Sequence, residues 1–335
     1  MTNSPKIGAT AFPRPAEAHG DSSALPVSNR DADWQSCVER LCAMFDRYAG
    51  EAQPVFLYMM VDGRGNAGLV NLLERVPGLS YVSLWHGTEI ESYTDIAPYL
   101  IALDRWQLQD ERSLQYRLAR RIWREATIPM VTWLWSYNAL DAMASHYRRY
   151  VTYSLPDRKE YYLHFYDNRI LEHLRKVWTE VECQQFIAPC VAIDYRNRLL
   201  VDVHWENPQP SWEFETDKFC ITNEQHRQLL NLFYADKLAL QLRTTCGVRL
   251  DHPTVIDLYT LICGQIERAE KYRINDGPGT LDYVTCGVLV SPSFDEHPFV
   301  NERLRAVAKG EMSSVEALEG VGDDIWNAIQ RKGHA

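Results

Sequence analysis

The sequence lacks the long apolar segments that a membrane protein needs. Its longest strongly apolar run, residues 54–61, is far shorter than the roughly 20 residues that cross a bilayer. The first thirty residues also lack the continuous apolar stretch of a secretory signal peptide. Both absences predict a cytoplasmic protein that does not insert into a membrane.

Closely spaced cysteine pairs are missing as well. The chain has eight cysteines in 335 residues, and no two of them are separated by two residues. Neither a zinc knuckle nor a dithiol redox motif is therefore indicated. Most of the cysteines lie in apolar stretches, which is typical of buried thiols in a reducing compartment. We expect all eight to be free thiols.

Positive charge is in deficit. Lysine and arginine together number 35 against 45 aspartates and glutamates, which gives a formal net charge of −10. Nucleic acids and anionic membranes attract proteins through positive fields. The charge balance therefore argues against a nucleic-acid partner.

The usual signatures of catalysis and cofactor binding are also lacking. The turn at residues 62–65, Asp-Gly-Arg-Gly, has neither the three glycines of a dinucleotide site nor the lysine of a phosphate loop, so a tight strand-to-helix turn is favoured. Folding could gather several imidazoles and carboxylates, but none has diagnostic spacing. These residues are His86, Glu89, His146, His164, Asp167 and His173. We expect no catalytic residue, no metal and no cofactor, and hence no enzyme.

What is present indicates a folded protein, because 46% of the residues are apolar and 24% are charged. Residues 1–30 are rich in proline, alanine and serine and predict a flexible N-terminal arm. Apolar runs then alternate with helical patterns, which predicts an α/β lobe over residues 31–210 with a mixed, mostly parallel sheet flanked by helices. The predicted strands are 54–61, 81–85, 99–103, 129–135, 161–166, 186–193 and 199–204, the last two forming a hairpin.

The pattern changes after a proline-containing segment, residues 207–211, and no convincing strand follows it. Thr222 and Gln225 have capping-box spacing, which predicts a long helix from there through Leu242. Further amphipathic stripes follow. They predict an all-helical C-terminal lobe over residues 215–335.

Several arginines stand beside histidine or aspartate at predicted element boundaries. Arg148 and Arg149 follow His146, and Arg169 follows Asp167. An arginine near a strand end usually binds loop carbonyls or pairs with a carboxylate. The favoured interpretation is structural, with Asp167 paired to one of these arginines, and a role in reading a ligand is the alternative.

Aromatic residues are abundant, with ten tryptophans and eighteen tyrosines. Tryptophan, tyrosine and arginine dominate the hot spots of protein interfaces. In a chain without a catalytic signature, this composition favours a binding module.

An ordered set of segments resembles a known family. The segments are Leu57–Gly63, Ile96–Leu103, His146–Tyr150, His164–Leu171 and Phe186–Pro189. Together they resemble the family called domain of unknown function 4123, over roughly residues 54–193. Members usually carry a proline where this chain has Asn168. The family-motif residues, interpreted as structural, are Asp62, Gly63, Pro98, His146, Arg148, Arg149, Asp167, Arg169 and Pro189.

The resemblance implies a cytosolic adaptor chaperone of the bacterial type VI secretion system. Such a protein binds a toxic effector and helps to load it onto the spike protein, so two protein partners are expected. A crevice between the two lobes is the expected place for the effector's terminal segment, because clefts between domains concentrate concave surface. The alternative hypothesis is a metal-dependent hydrolase, itself a toxin, that uses histidine and aspartate residues of the α/β lobe.

Overall fold

The structure is a computed structural model that describes residues 27–50, 53–66, 68–125, 130–211, 218–245 and 255–333. These residues form eight strands. The strands are β1 (Phe56–Asp62), β2 (Tyr81–Ser83), β3 (Pro98–Leu103), β4 (Val131–Ser136), β5 (Thr152–Ser154), β6 (Glu160–Tyr162), β7 (Cys190–Arg196) and β8 (Asp202–Glu206).

Helices account for most of the remaining described residues. Those before the C-terminal region are α1 (Val27–Tyr48), α2 (Leu69–Glu74), α3 (Arg105–Gln109), α4 (Leu114–Glu125), α5 (Leu140–Arg148), α6 (Asn168–Val177) and α7 (Glu180–Ile187). The later ones are α8 (Asn223–Thr245), α9 (Val255–Lys271), α10 (Gly277–Leu289), α11 (Pro298–Lys309), α12 (Ser314–Glu319) and α13 (Asp323–Gly333).

The chain divides between Leu230 and Asn231 into two compact units, which we call the sheet unit and the helical unit. The division falls within α8, beyond the break predicted near residues 210–215. Of the predicted N-terminal arm, residues 1–26 lie outside the described residues, and α1 begins at Val27.

The main sheet is antiparallel. Its six strands lie in the order β2-β3-β1-β4-β7-β8, and every neighbouring pair is antiparallel. The prediction of a mostly parallel sheet is therefore wrong, whereas the flanking helices and the helical C-terminal region are present. In β1 all residues from Leu57 to Asp62 are buried. Such an uninterrupted run indicates that both faces of a strand are covered, which says nothing about strand direction.

The last two predicted strands begin several residues later than expected. Thr179 and Glu182 form a capping box, so the chain at 186–187 belongs to α7, and β7 starts only at Cys190. The predicted hairpin is present as β7 and β8, but β8 starts at Asp202 and not at residue 199.

Aromatic side chains fill both faces of the main sheet. On one face the ring of Phe45 from α1 meets Trp135 edge to face, with 4.9 Å between centroids. Elsewhere in the sheet unit Tyr147, Phe165 and Phe186 form a fully buried cluster. The family-motif residues lie in or next to the strands and helices of this sheet unit.

The helical unit has its own core. Leu238 of α8 packs with Leu258 of α9 and Val284 of α10. The predicted capping box at the start of α8 is confirmed, because Gln225 N donates to Thr222 Oγ1 at 3.1 Å and Thr222 N donates to Gln225 Oε1 at 2.9 Å. The long helix that this spacing predicted is therefore present.

Seven cysteines are described and all are free, while Cys246 lies outside the described residues. Within the described part of the chain, no helix has both the length and the apolar character needed to cross a bilayer.

Candidate functional site

Two Asp-x-Arg sequences, Asp62–Arg64 and Asp167–Arg169, fold into the same local structure. Asp62 Oδ1 accepts hydrogen bonds from the backbone N (2.9 Å) and the Nε (3.0 Å) of Arg64. Asp167 Oδ1 accepts from the backbone N (3.1 Å) and the Nε (2.9 Å) of Arg169. In each pair the arginine Nη2 also donates to the second carboxylate oxygen. Each arginine therefore binds its carboxylate through two guanidinium nitrogens, an arrangement that we call a bidentate fork.

The two forks are joined into one cluster, which we call the double fork. Arg64 Nη2 lies 3.7 Å from Asp167 Oδ2. Both carboxylates are almost fully buried, while the guanidinium side chains of Arg64 and Arg169 remain 31% and 22% exposed. The cluster thus neutralises two buried negative charges with cations that reach the surface.

The predicted pairing of Asp167 with an arginine is confirmed for Arg169. The matching role of Arg64 was not predicted from the sequence. The sequence feature that could have indicated this role is the Asp-x-Arg spacing, which occurs at the end of β1 and again at the start of α6.

The turn after β1 is held close to the start of β3. Gly63 N donates to Ala97 O at 3.1 Å, and Asp62 lies opposite Pro98 in the register of β1 and β3. A Cβ atom on Gly63 would lie 2.4 Å from that carbonyl oxygen, which leaves room for glycine only. The predicted strand-to-helix turn is confirmed as a short 3₁₀ turn over Gly63–Gly65.

His146 and the two arginines after it bind neighbouring segments. His146 is buried in α5, and its Nε2 donates to the carbonyl of Phe186 at 3.0 Å. Burial lowers the pKa of His146 to about 4, so the imidazole is neutral at physiological pH. Arg148 Nη2 donates to the carbonyl of Ser83 at 3.2 Å. The guanidinium carbon of Arg149 lies 5.4 Å from the centroid of the Tyr150 ring.

Pro189 joins the end of β4 to the segment before β7, and Asn168 joins the start of α6 to the start of β4 and the end of β7. The carbonyl of Pro189 accepts from Ser136 Oγ at 2.5 Å and from Asn138 Nδ2 at 3.1 Å. Asn168 Nδ2 donates to the carbonyl of Val131 at 3.0 Å, and its Oδ1 accepts from a buried threonine hydroxyl. A proline at position 168 could make none of these side-chain bonds. The interpretation of the family-motif residues as structural stays a prediction.

The histidines and carboxylates that folding could have gathered have separate partners. His86 pairs with Glu91 on the surface, and His164 Nδ1 bonds to Tyr166 OH at 2.6 Å. His173 is buried, and its Nε2 lies 3.5 Å from a guanidinium nitrogen of Arg198. Within the described ranges, no group of three His, Cys, Asp or Glu side chains is arranged to hold a metal ion.

A surface that the sequence did not indicate lies at the β8 end of the sheet. Asn197 N donates to Val201 O at 2.9 Å, and Asn207 N donates to Val191 O at 2.8 Å. Because backbone groups alternate along an antiparallel pair, the N–H and C=O groups of Asp202, His204 and Glu206 point away from β7. No strand among the described residues pairs with this outer edge.

The tip of the β7–β8 hairpin carries exposed aliphatic side chains. Leu199, Leu200 and Val201 are 57%, 47% and 56% exposed. Asn197 Oδ1 accepts from the backbone N of Leu199 (2.9 Å) and of Val201 (3.0 Å), which closes the turn. Leu200 has a φ of +58°, a left-handed conformation that is unfavourable for leucine. The turn therefore holds apolar side chains in solvent at a cost in backbone strain.

A cavity of about 260 Å³ lies between α1 and the adjoining faces of β7 and β8. Trp123 and Trp133 line it together with apolar side chains of α1. Two ion pairs join α1 to β8 beside it. These pairs are Arg40 Nη1 with Asp202 Oδ2 at 2.9 Å and Arg47 Nη2 with Glu206 Oε1 at 2.7 Å.

Asp194 organises the polar side of this cavity. Its Oδ2 accepts from Trp135 Nε1 at 2.9 Å, and its Oδ1 bonds to His204 Nδ1 at 2.7 Å. We call the hairpin tip, the outer edge of β8 and this cavity together the β8 surface. It offers an apolar anchor point inside a polar rim, which is the usual construction of a protein interface.

Comparison with known proteins identifies one family. Residues 57–185 match the family described as "Domain of unknown function (DUF4123)". This segment, which runs from β1 into α7 and contains the double fork, matches that family, as the resemblance indicated. The family is associated with adaptors of type VI secretion effectors. Searches of curated proteins and of solved structures found no significant match.

Proposed function

We propose that this protein is a cytoplasmic adaptor chaperone that binds a type VI secretion effector and helps to load it onto the spike protein. In this proposal the protein has no catalytic activity of its own. The match of residues 57–185 to the family supports the general role. The single observation that carries the proposal is the β8 surface, where a free strand edge, an aliphatic tip and an aromatic-lined cavity adjoin.

The occupant of this surface is an extended segment of the effector. An exposed strand edge binds such a segment through backbone hydrogen bonds, and nearby pockets select its side chains. The outward N–H and C=O groups of Asp202, His204 and Glu206 supply the bonds. A large apolar side chain of the effector enters the cavity beside Trp133.

The strain at the hairpin tip supports a binding role. A left-handed residue other than glycine costs about 1–2 kcal/mol, and Leu200 has this conformation while its side chain is half exposed. Neither feature stabilises the fold. Both are explained if the leucine side chain is buried against a partner.

The affinity should be moderate. A stable interface buries about 800 Å² on each partner, but a chaperone must release its cargo to the spike. Most differences in affinity arise from the dissociation rate. We therefore expect either a fast-dissociating complex or release that the spike triggers.

Co-purification with the effector encoded beside its gene tests the hairpin tip. The variant Leu199→Asp places a charge in the contact and should reduce recovery of the effector at least about tenfold. The matched control is Leu240→Asp, because Leu240 is 64% exposed but lies in the helical unit. Equal recovery with both variants would defeat the proposed site.

A second pair of variants tests the strand edge itself. His204→Pro removes an outward backbone N–H without touching the bonds to β7, and proline is tolerated on edge strands. His204→Gln keeps that N–H and removes only the imidazole. We expect the proline variant to lose the effector and the glutamine variant to keep it. If the proline variant binds as well as the unmodified protein, strand addition is excluded.

A further inference from the structure

The corner formed by α3 and α4 carries a charge opposite to that of the whole chain. From Arg105 to Glu125 there are six arginines and three carboxylates, a net charge of +3. The whole chain carries −10, so the remainder carries −13. This segment is thus basic within an acidic protein, and one of its six arginines, Arg105, is paired with Asp46 of α1.

This corner also exposes large apolar side chains. Trp106 on α3 is 71% exposed and Leu114 at the start of α4 is 47% exposed. Arg105 lies over the ring of Trp106, 5.2 Å from its centroid. An exposed tryptophan beside arginine is the side-chain combination that dominates interface hot spots.

Local hydrogen bonds fix the corner. Asp104 Oδ1 accepts from Gln107 N at 2.9 Å and caps α3. Ser113 Oγ donates to the carbonyl of Gln107 at 2.5 Å, and Asp104 N donates to Gln115 Oε1 at 2.9 Å. Trp106 precedes Gln107, and Leu114 follows Ser113. The Ser113–Gln107 hydrogen bond therefore holds the backbones of Trp106 and Leu114 near each other before any partner binds.

The arginines of α4 extend this exposed surface. Leu114, Arg117 and Arg121 are spaced i, i+3 and i+7, which places them on one exposed stripe of the helix. Among the described residues, neither Arg112 nor Arg117 takes part in an ion pair. We call Trp106, Arg112, Leu114 and Arg117 the basic corner.

We propose that the basic corner binds an acidic polypeptide segment of a partner protein that carries a large apolar side chain. Arginine forks match carboxylates in a bidentate geometry, and Trp106 with Leu114 covers the apolar side chain. The negative charge of the remaining chain disfavours a long polyanion such as nucleic acid. The basic corner shares no residue with the β8 surface, so this inference does not rest on the proposed function.

Fluorescence anisotropy with the full-length protein tests the proposal. The probe is a labelled amphipathic peptide of leucine and glutamate, and the comparison probe has lysine in place of each glutamate. We expect only the acidic peptide to bind, and binding to weaken as salt is raised. Trp106→Ala and Arg117→Glu should each weaken it about tenfold.

Matched variants separate a local effect from a change in net charge. Arg75 is exposed at the end of α2, and Tyr93 is 59% exposed. Arg75→Glu and Tyr93→Ala should leave acidic-peptide binding within about twofold of the unmodified protein.

Four outcomes would overturn the proposal. They are no binding of the acidic peptide at low salt, equal binding of both peptides, an equal loss in the matched variants, and tighter binding of single-stranded oligothymidine through the same residues. Sedimentation adds a fifth, a dimer of the full-length protein that Arg117→Glu abolishes, because a second copy of the chain would then cover the corner.

Discussion

At the level of single residues, the carboxylates of Asp62 and Asp167 are almost fully buried, and each is neutralised by an arginine two positions later. This short spacing makes the pairing local, so it forms wherever the backbone takes up the turn. The contact between Arg64 and Asp167 then joins two distant parts of the chain. Removing one partner from a buried pair leaves a charge uncompensated, which is costly.

The variant Asp167→Asn should therefore destabilise the sheet unit. Asparagine can still cap α6, but it leaves Arg169 and Arg64 without their shared negative charge. We expect the free energy of unfolding to fall by about 2 kcal/mol, measured by urea denaturation. Asp157→Asn removes an exposed carboxylate that pairs with Lys159, and it should change stability little. Equal effects of the two variants would contradict the structural interpretation.

Buried His146 predicts a loss of stability in mild acid. Its pKa is about 4 in the fold and 6.5 when exposed, so the unfolded chain binds more protons between these values. The stability that this group contributes is complete above pH 6.5, falls as the pH is lowered, and is lost at about pH 4. The difference corresponds to about 3 kcal/mol at most.

His146→Gln tests this pH dependence. Glutamine can still donate to the carbonyl of Phe186 but does not titrate. Urea midpoints at about pH 7.5 and about pH 5 should differ less for this variant than for the unmodified protein. His86→Gln, at an exposed histidine paired with Glu91, should keep the original pH dependence. An unchanged acid sensitivity in His146→Gln would show that other groups cause it.

At the level of elements, the positions of most strands could be predicted and their direction could not. The run at residues 54–61 locates β1 because its apolar residues are buried on both faces. Helical patterns between the runs suggested parallel crossovers, but β1 pairs antiparallel with both β3 and β4. Direction depends on which strands become neighbours, and hydrophobic patterning does not record this.

The candidate sites were predictable only in part. Asp167 and Arg169 stand together in the sequence, so their pairing could be inferred. The hairpin tip could not, because Leu199, Leu200 and Val201 have the composition of a strand. The segment becomes a turn through hydrogen bonds that both the side chain and the backbone of Asn197 make to residues 199–201. The basic corner was not predicted, because the net charge of the whole chain does not show that one segment has the opposite sign.

The hairpin tip predicts that stability and binding respond in opposite directions to one substitution. Leu200→Asn places a residue that tolerates the left-handed conformation at a φ of +58°. We expect the free energy of unfolding to rise by up to about 1 kcal/mol while effector binding weakens. Leu199→Asn makes the same chemical change at a residue without positive φ, and it should give no gain in stability. A destabilised Leu200→Asn variant would refute the strain argument.

At the level of the whole molecule, thiol reactivity should follow burial. Cys220 is exposed, whereas Cys37, Cys190 and Cys286 are buried and burial raises the pKa of each thiol to about 12. A thiol reagent followed by peptide mapping should label Cys220 rapidly and these three only after unfolding. Because the described cysteines are free, a reducing agent should leave the melting temperature unchanged. Rapid native labelling at Cys190 would contradict the described packing around β7.

The two ends of the main sheet differ, and this difference limits how many partners can join by strand addition. At one end β2 has only three residues, and Arg148 occupies the carbonyl of Ser83. At the other end β8 is open along its length within the described part of the chain. This chain can then join by strand addition at one end of its sheet only, either to one foreign strand or in one reciprocal pairing of two copies. Such a one-ended arrangement sets a stoichiometry of one and prevents open-ended fibres.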